Sequence, residues 1–197
     1  MKNKLLTKCA LAVVALIGWQ QTIATPSAEA LSYTCAGCHG FNGASNGPAI
    51  PSLAGLGEEY LIEAMQEYKE DKRNPTIMNR IAKGYSDEEF KLMAQFFAKQ
   101  EVFIMPDQSQ NSKLVKEGKK LHKKYCKKCH EDGGTNPEDE AGQLLGNSRL
   151  YLQYSLQDFK DGSRKMPKKM KKQFSKMAKK DKNAASKILE YYSKGDK

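Results

Sequence analysis

Apolar residues recur three and four positions apart over several stretches of the chain, the spacing of one face of an α-helix. The clearest stretches are EEYLIEAMQEYKED (58–71), SKLVKEGKKLHKKYC (112–126) and SRLYLQYSLQDFKDG (148–162). Another helix is predicted from Ser86, because Ser86 and Glu89 form the Ser-x-x-Glu capping box that begins many helices. No stretch alternates convincingly between apolar and polar residues as a half-buried strand does. The pattern therefore predicts an all-α fold.

The predicted helices belong to a unit that occurs twice. An offset of 91 residues superimposes two Cys-x-x-Cys-His motifs and much of the sequence that follows each of them. It pairs Cys35, Cys38, His39 and Gly43 with Cys126, Cys129, His130 and Gly134, and Gly55, Tyr60, Tyr68 and Arg73 with Gly146, Tyr151, Phe159 and Arg164. Small insertions then pair Pro75, Met78, Phe96 and Phe97 with Pro167, Met170, Tyr191 and Tyr192. We therefore predict two tandem copies of one helical domain.

The N-terminus has the layout of a secretory signal. Three lysines precede the apolar run Cys9–Trp19, and small residues follow it. The run is shorter than the roughly 20 residues that span a bilayer. We predict cleavage after Ala24 and an exported, periplasmic protein. The predicted organisation is a signal peptide over 1–24, a first domain over 25–105, a linker over 106–112 and a second domain over 113–197.

Charge is distributed unevenly between the two copies. The chain has a formal net charge of +10, but residues 31–110 carry 7 Lys and Arg against 11 Asp and Glu, whereas residues 111–197 carry 23 against 11. A basic domain often binds nucleic acid. Export and the lack of an aromatic-interleaved basic motif argue against that function here. The charge indicates an acidic protein partner instead.

Four of the five cysteines lie in the Cys-x-x-Cys-His motifs, and the fifth, Cys9, lies in the signal. Two short disulfides leave both histidines unexplained. A zinc site made from both cysteine pairs must close an 87-residue gap, and a thioredoxin-like pair needs a βαβ context. Covalent haem c fits best, because two thiols reach the haem vinyl groups and the adjacent imidazole binds the iron. The predicted haem anchors are Cys35, Cys38, Cys126 and Cys129, with His39 and His130 as axial ligands.

Each low-spin haem needs a second axial ligand, commonly methionine or histidine. Met78 and Met170 follow the two motif histidines by 39 and 40 residues, and each lies three residues beyond a proline. We predict both as axial ligands, with Met166 as the alternative to Met170. The other methionines of the two domains are predicted to fill the cores; they are Met65, Met93, Met105 and Met177.

Two features remain outside this assignment. His122 is the only histidine outside the motifs, and we expect it on the surface of its helix. The segment 164–182 holds ten Lys and Arg against one Asp. A solvated helix face explains such a run equally well as a docking patch for an acidic redox partner.

The segments CAGCHG (35–40), TIMNRIAKGYSDEEF (76–90), KLHKKYCKKCHEDGG (120–134) and LYLQYSLQDFKDGSRKMPKKM (150–170) carry a resemblance to a known family. The chain resembles the dihaem cytochrome c subunit of flavocytochrome c sulfide dehydrogenase, within the broader family of periplasmic dihaem class I cytochromes c. The resemblance implies two class I cytochrome c domains and a complex with an FAD-containing flavoprotein subunit. That subunit oxidises sulfide, and the cytochrome, which is not catalytic alone, passes the electrons to a soluble carrier such as a monohaem cytochrome c. One departure is that RKMPKKM (164–170) places its proline differently from the family pattern, which keeps Met166 as a candidate ligand.

Two other functions compete with this expectation. A free-standing dihaem shuttle between respiratory complexes needs no flavoprotein, and its electron exchange slows as salt screens the basic domain. A dihaem peroxidase needs one haem with an open sixth position, which methionine candidates in both domains argue against.

Overall fold

The computed structural model of the chain describes residues 26–74, 76–137 and 141–195. The predicted signal peptide and Pro75 lie outside the described residues. The regular secondary structure of the described residues is helical apart from one two-stranded pair, which agrees with the predicted all-α class. No helix among the described residues is both long and apolar enough to cross a membrane.

The first unit is built from five helices and a 3-10 turn. Ser86 accepts a hydrogen bond from the backbone of Glu89, and the Glu89 side chain bonds back to Ser86, so the predicted capping box is present. Three longer helices pack together, with α1 and α3 both against α5. The elements are α1 (Ala28–Tyr33), α2 (Ala36–His39), a 3-10 turn (Phe41–Gly43), α3 (Glu58–Lys69), α4 (Met78–Ala82) and α5 (Asp87–Ala98).

The second unit repeats this order with three differences, the first being that Cys126–Cys129 form a turn where the first unit has α2. Its elements are α6 (Ser112–Tyr125), β1 (His130–Glu131), a 3-10 turn (Asp132–Gly134), β2 (Asn136–Pro137), α7 (Arg149–Asp161), α8 (Lys168–Lys180) and α9 (Ala184–Tyr192). The antiparallel β1–β2 pair joins two residues on each side, too short for a sequence pattern to predict. Helix α8 has 13 residues where its counterpart α4 has five.

Each unit has its own apolar core. In the first, Phe90, Met93 and Phe97 of α5 pack with Leu31 and Leu61. In the second, Met177 of α8 and Ile188 and Tyr192 of α9 pack with Leu145 and Leu152. Met93 and Met177 are therefore core residues, as predicted, Met105 is buried as well, and Met65 packs against the first core.

Backbone hydrogen bonds repeat at the predicted offset. The carbonyl of Gly43 accepts from the backbone N–H of Leu53 at 2.8 Å, and that of Gly134 accepts from Leu144 at 2.9 Å. Both glycines have positive φ, +82° and +99°, a conformation that favours glycine over residues with a Cβ. The repeat found in the sequence is therefore a repeat of the fold.

Residues 101–111, which include most of the predicted linker, contain no helix or strand and run along the second unit. The backbone N–H of Met105 bonds the carbonyl of Gly146, and that of Gln108 bonds the carbonyl of Ser193, both at 2.8 Å. The carboxylate of Glu190 accepts from the backbone N–H groups of Gln110 at 2.8 Å and Asn111 at 3.1 Å. The segment is therefore attached to the second unit through its backbone.

Candidate haem sites

The first Cys-x-x-Cys-His motif occupies one helical turn. Cys35 precedes α2 and is half-buried, Cys38 is exposed, and His39 ends the helix with 8% of its surface exposed. The backbone N–H of His39 bonds the carbonyl of Cys35 at 2.9 Å, which keeps the two cysteines and the histidine on one compact turn. All four motif cysteines have free thiols, so neither short disulfide is formed.

His39 is held in a defined orientation by the loop that follows it. Its Nδ1 lies 2.9 Å from the carbonyl oxygen of Pro51. Because a carbonyl only accepts, Nδ1 carries the proton and Nε2 has a free lone pair. Burial lowers the pKa of His39, against the opposing effect of the Pro51 carbonyl, so the ring is neutral. A neutral imidazole fixed through its other nitrogen is the form that binds a metal.

The second motif forms the equivalent turn after α6. Cys126, Cys129 and His130 are all half-buried, and the backbone N–H of His130 bonds the carbonyl of Cys126 at 3.1 Å. Burial lowers the pKa of His130 to about 4, helped by the nearby His122 and opposed by the carbonyl of Gly142. Gly142 is the residue that the 91-residue offset pairs with Pro51. Within the described residues, however, the buried Nδ1 of His130 forms no hydrogen bond.

Both turns fit the attachment of haem c. Each presents two free thiols and one neutral imidazole, and burial raises the pKa of the inner thiol in both, Cys35 and Cys126. In the described part of the chain, no three His, Cys, Asp or Glu side chains come together in a way that would hold a metal ion. The zinc alternative, which requires the two cysteine pairs to meet, has no support in this geometry.

The candidate methionine ligands lie near the starts of corresponding helices in the two units. Met78 is the first residue of α4 and Met170 is the third residue of α8, and both are half-buried. Met166, just before Pro167, is half-buried too. The choice between Met170 and Met166 therefore stays a prediction.

A buried arginine joins the two units, and sequence reasoning assigned it no role. Arg73 is 5% exposed, and its Nη2 donates to the hydroxyl of Tyr151 in the second unit at 3.1 Å. Its guanidinium carbon lies 4.8 Å from the ring centre of Tyr68. The offset repeats this stacking, because Arg164 lies 4.3 Å from the ring centre of Phe159. The sequence did contain a signal for this contact, because both copies have an arginine five residues after an aromatic residue.

The electrostatics around Arg73 favour a negatively charged ligand. Its Nη1 is buried and has no hydrogen-bond partner among the described residues. Burial raises the pKa of the neighbouring Tyr60 hydroxyl, but the guanidinium groups of Arg73 and Arg164 outweigh burial and lower it. A buried cation with an unused donor needs an anion beside it, and haem carries two carboxylates in its propionates. Arg73 is thus suited to bind a haem propionate, in addition to the thiols and imidazoles that suit the haem vinyl groups and iron.

The expected surface position of His122 is wrong. His122 is 2% exposed, and its Nδ1 lies 2.9 Å from the hydroxyl of Tyr192. The cause is the packing of α6 on α9. Gly118, one turn earlier, has no room for a Cβ, because the carbonyl oxygen of Lys187 lies 2.0 Å from where it would be. Gly118 and His122 therefore lie on the inner face of a helix whose lysines face solvent.

Comparison with known proteins agrees with this architecture. Residues 27–101 match the family model Cytochrome c, and residues 113–181 match the model for cytochrome c oxidase, cbb3-type, subunit III. Cytochrome c4 of Pseudomonas aeruginosa is 31% identical over 146 residues, which are 69% of this chain and 71% of that protein. The chain belongs to the dihaem class I cytochromes c. Two such domains imply two covalently bound haem c groups and a function in electron transfer.

Two further similarities concern the fold and the subgroup. The crystal structure of reduced cytochrome c4 from Pseudomonas stutzeri covers 87% of this dihaem cytochrome and matches over its whole length with a TM-score of 0.71 at 24% identity. The cytochrome subunit of sulfide dehydrogenase from Chlorobaculum tepidum is 46% identical over 69 residues. Those residues are 35% of this chain, and the match spans 62% of the relative.

Proposed function

We propose that this dihaem cytochrome is the electron-transfer subunit of a periplasmic sulfide-oxidising complex. It accepts electrons singly from an FAD-containing flavoprotein subunit and passes them to a soluble carrier such as a monohaem cytochrome c. The observation that carries the proposal is the presence of two equivalent Cys-x-x-Cys-His turns in one chain. The similarity to the Chlorobaculum tepidum subunit supports sulfide oxidation as the source of electrons.

The haem contributes an iron that cycles between the ferric and ferrous states by one electron, and the chain binds and tunes it. The cysteines would hold the haem through thioethers, and the two histidines would each bind an iron. Met78 and Met170, with Met166 as the alternative to Met170, would be the second protein ligands. Arg73, whose Nη1 has no partner among the described residues, would hold a propionate. The residues of this proposal are Cys35, Cys38, His39 and Met78 in the first domain (25–105) and Cys126, Cys129, His130 and Met170 in the second (113–197).

The charge on α8 supports an acidic partner for the second unit. Seven lysines of α8 are exposed, whereas Met170, Phe174 and Met177 at helical spacing are buried or half-buried. In the described part of the chain, none of these lysines forms an ion pair with a carboxylate. The lysines are therefore available for a partner, and opposite charge speeds such encounters. They are Lys168, Lys169, Lys171, Lys172, Lys176, Lys179 and Lys180.

Isolation of the native protein tests the proposal. The cytochrome should copurify with a flavin-containing subunit, and sulfide should reduce both haems of the complex. An isolated chain that no flavoprotein accompanies, and that sulfide reduces no faster than free haem c, contradicts the proposal.

The second candidate is a free-standing dihaem shuttle, which the match to cytochrome c4 favours. For a shuttle, electron exchange with a membrane oxidase or reductase should be fast without any flavoprotein and should slow as salt is added. The same purification separates the two functions, because only the first requires flavin in the complex.

A further inference from the structure

The two units differ by a pair of residues at equivalent buried positions. The offset that aligns the cysteines pairs Leu31 with His122. Phe97 and Tyr192 are equivalent as well, because the carbonyl of each accepts a backbone N–H at 2.9 Å, from Gly55 and from its counterpart Gly146. In the first unit, Leu31 and Phe97 are 5% and 3% exposed and purely apolar. In the second, His122 and Tyr192 are 2% and 4% exposed and hydrogen-bonded to each other.

This polar pair touches the cysteine anchor of the second site. Cys126 packs against the core cluster that contains Tyr192, and the Tyr192 hydroxyl lowers the pKa of the Cys126 thiol against the larger effect of burial. The backbone N–H of Cys126 bonds the carbonyl of His122 at 2.9 Å. The first site also has a hydroxyl beside its anchor, since Thr34 Oγ1 lies 3.9 Å from Sγ of Cys35 and lowers the pKa of that thiol. Its proton, however, is donated to the carbonyl of Leu31 at 2.6 Å and not to the sulfur.

The hydrogen bonds of the pair have one consistent direction. Once Cys126 is attached to haem, its thioether sulfur can only accept, so a hydrogen bond to it takes the single proton of the Tyr192 hydroxyl. His122 must then donate from Nδ1 to the oxygen of Tyr192, since two acceptors do not bond. Sulfur in a thioether still accepts, though weakly. The N–H dipole of His122 and the O–H dipole of Tyr192 therefore point the same way, with their positive ends toward Cys126 at the edge of the second site.

We propose that the His122–Tyr192 pair sets the reduction potential of the second haem apart from that of the first. The inference rests on the proposed attachment of haem to Cys126. Ferric iron has one more positive charge than ferrous iron, so dipoles with their positive ends toward the haem disfavour the ferric state. The reduction potential of the second haem is therefore higher than it would be beside a leucine–phenylalanine core. Hydrogen bonding near the cofactor is an established way in which a protein adjusts a haem potential.

The test is a redox titration of the purified two-haem chain and its Tyr192→Phe variant with mediators and no flavoprotein. The variant removes one oxygen atom and gives the second unit the residue of the first. When the protein holds one electron, the ratio of molecules reduced at the second haem to those reduced at the first should fall about threefold or more. This corresponds to a change of about 30 mV in the difference between the two potentials, for a one-electron couple. Paramagnetically shifted haem methyl resonances assign each potential to its haem.

Two further variants separate tuning from packing. Tyr191→Phe removes the neighbouring hydroxyl on the same helix, whose ring also packs on His122 at 5.4 Å, and should leave the ratio unchanged. His122→Leu with Tyr192→Phe recreates the apolar core of the first unit and should shift the ratio at least as far as Tyr192→Phe does, because it removes both dipoles. An unchanged ratio in both Tyr192 variants, or a shift toward the second haem, overturns the inference. Absence of flavoprotein binding refutes the proposed function but leaves this titration unaffected.

Discussion

Glu190 should be the most costly single polar residue to alter in the second unit. It is 4% exposed, and its carboxylate accepts from the guanidinium of Arg149 at 2.6 Å and from the backbone N–H groups of Gln110 and Asn111. Glu190→Gln keeps the shape, removes the charge and places an amide NH₂ against these donors. Breaking a buried ion pair costs about 3–5 kcal/mol. Arg149 keeps 23% of its side chain exposed, so we expect the lower end, about 3 kcal/mol.

The expected fall in the melting temperature of the whole chain is about 6–12 °C at pH 7, since 1 kcal/mol corresponds to about 2–4 °C in a chain of this size. Thermal unfolding followed by far-ultraviolet circular dichroism measures it. Burial raises the pKa of Glu190, but the backbone donors and Arg149 outweigh burial and lower it. The contribution of Glu190 is therefore complete above the ordinary carboxyl pKa of about 4.3 and is lost as pH falls through the lower value of the folded protein.

The control is Asp71→Asn, which breaks an exposed pair with Lys83 at a surface turn. It should leave the melting temperature nearly unchanged. The reasoning fails if Glu190→Gln destabilises no more than Asp71→Asn. It also fails if the difference between wild type and Glu190→Gln persists unchanged at acid pH.

Three further predictions concern the haem sites and the basic helix. Arg73→Gln should destabilise the protein by about 2 kcal/mol through loss of a charged hydrogen bond, and it should shift the haem potentials. Arg80→Gln, at an exposed side chain, should do neither. Denaturant unfolding measures the first effect and redox titration the second. Met170→Ala should leave one ferrous haem able to bind carbon monoxide, and Met166→Ala should leave both six-coordinate; the reverse result makes Met166 the ligand. Lys171→Glu with Lys172→Glu should slow reduction of an acidic partner at low salt and flatten the salt dependence, as measured by stopped flow. The control pair, Lys91→Glu on α5 and Lys99→Glu at its C-terminal end, should change the salt dependence much less; equal effects would remove α8 as the docking surface.

The repeat made most of the fold predictable. Helical spacing, the capping box at Ser86 and the 91-residue offset together indicated two helical units, and the equivalent backbone bonds of Gly43 and Gly134 agree with that. The pattern did not reveal that α8 is much longer than α4. A run of lysines after Pro167 has good intrinsic helix propensity, but its apolar face holds only three residues, too few to stand out.

The two residues that sequence reasoning misjudged or overlooked share a cause. His122 is surrounded in sequence by lysines, which point to solvent, while its own direction is set by Gly118 and the close approach of α9. Arg73 is a charged residue in a polar stretch, and its burial depends on Tyr151 from the other unit. In both cases a contact distant in the sequence decides the environment, and local periodicity contains no information about it.

The His122–Tyr192 pair also constrains how two copies of one ancestral unit diverge. Starting from Leu and Phe, a lone histidine at position 122 buries an imidazole that has no hydroxyl to bond. A lone tyrosine at position 192 already has the sulfur of Cys126 as a partner. An unpaired buried polar group costs about 1–3 kcal/mol. We therefore expect the substitution to tyrosine at position 192 to come before the substitution to histidine at position 122. Among relatives, tyrosine without histidine should therefore be found, and histidine without tyrosine should be rare.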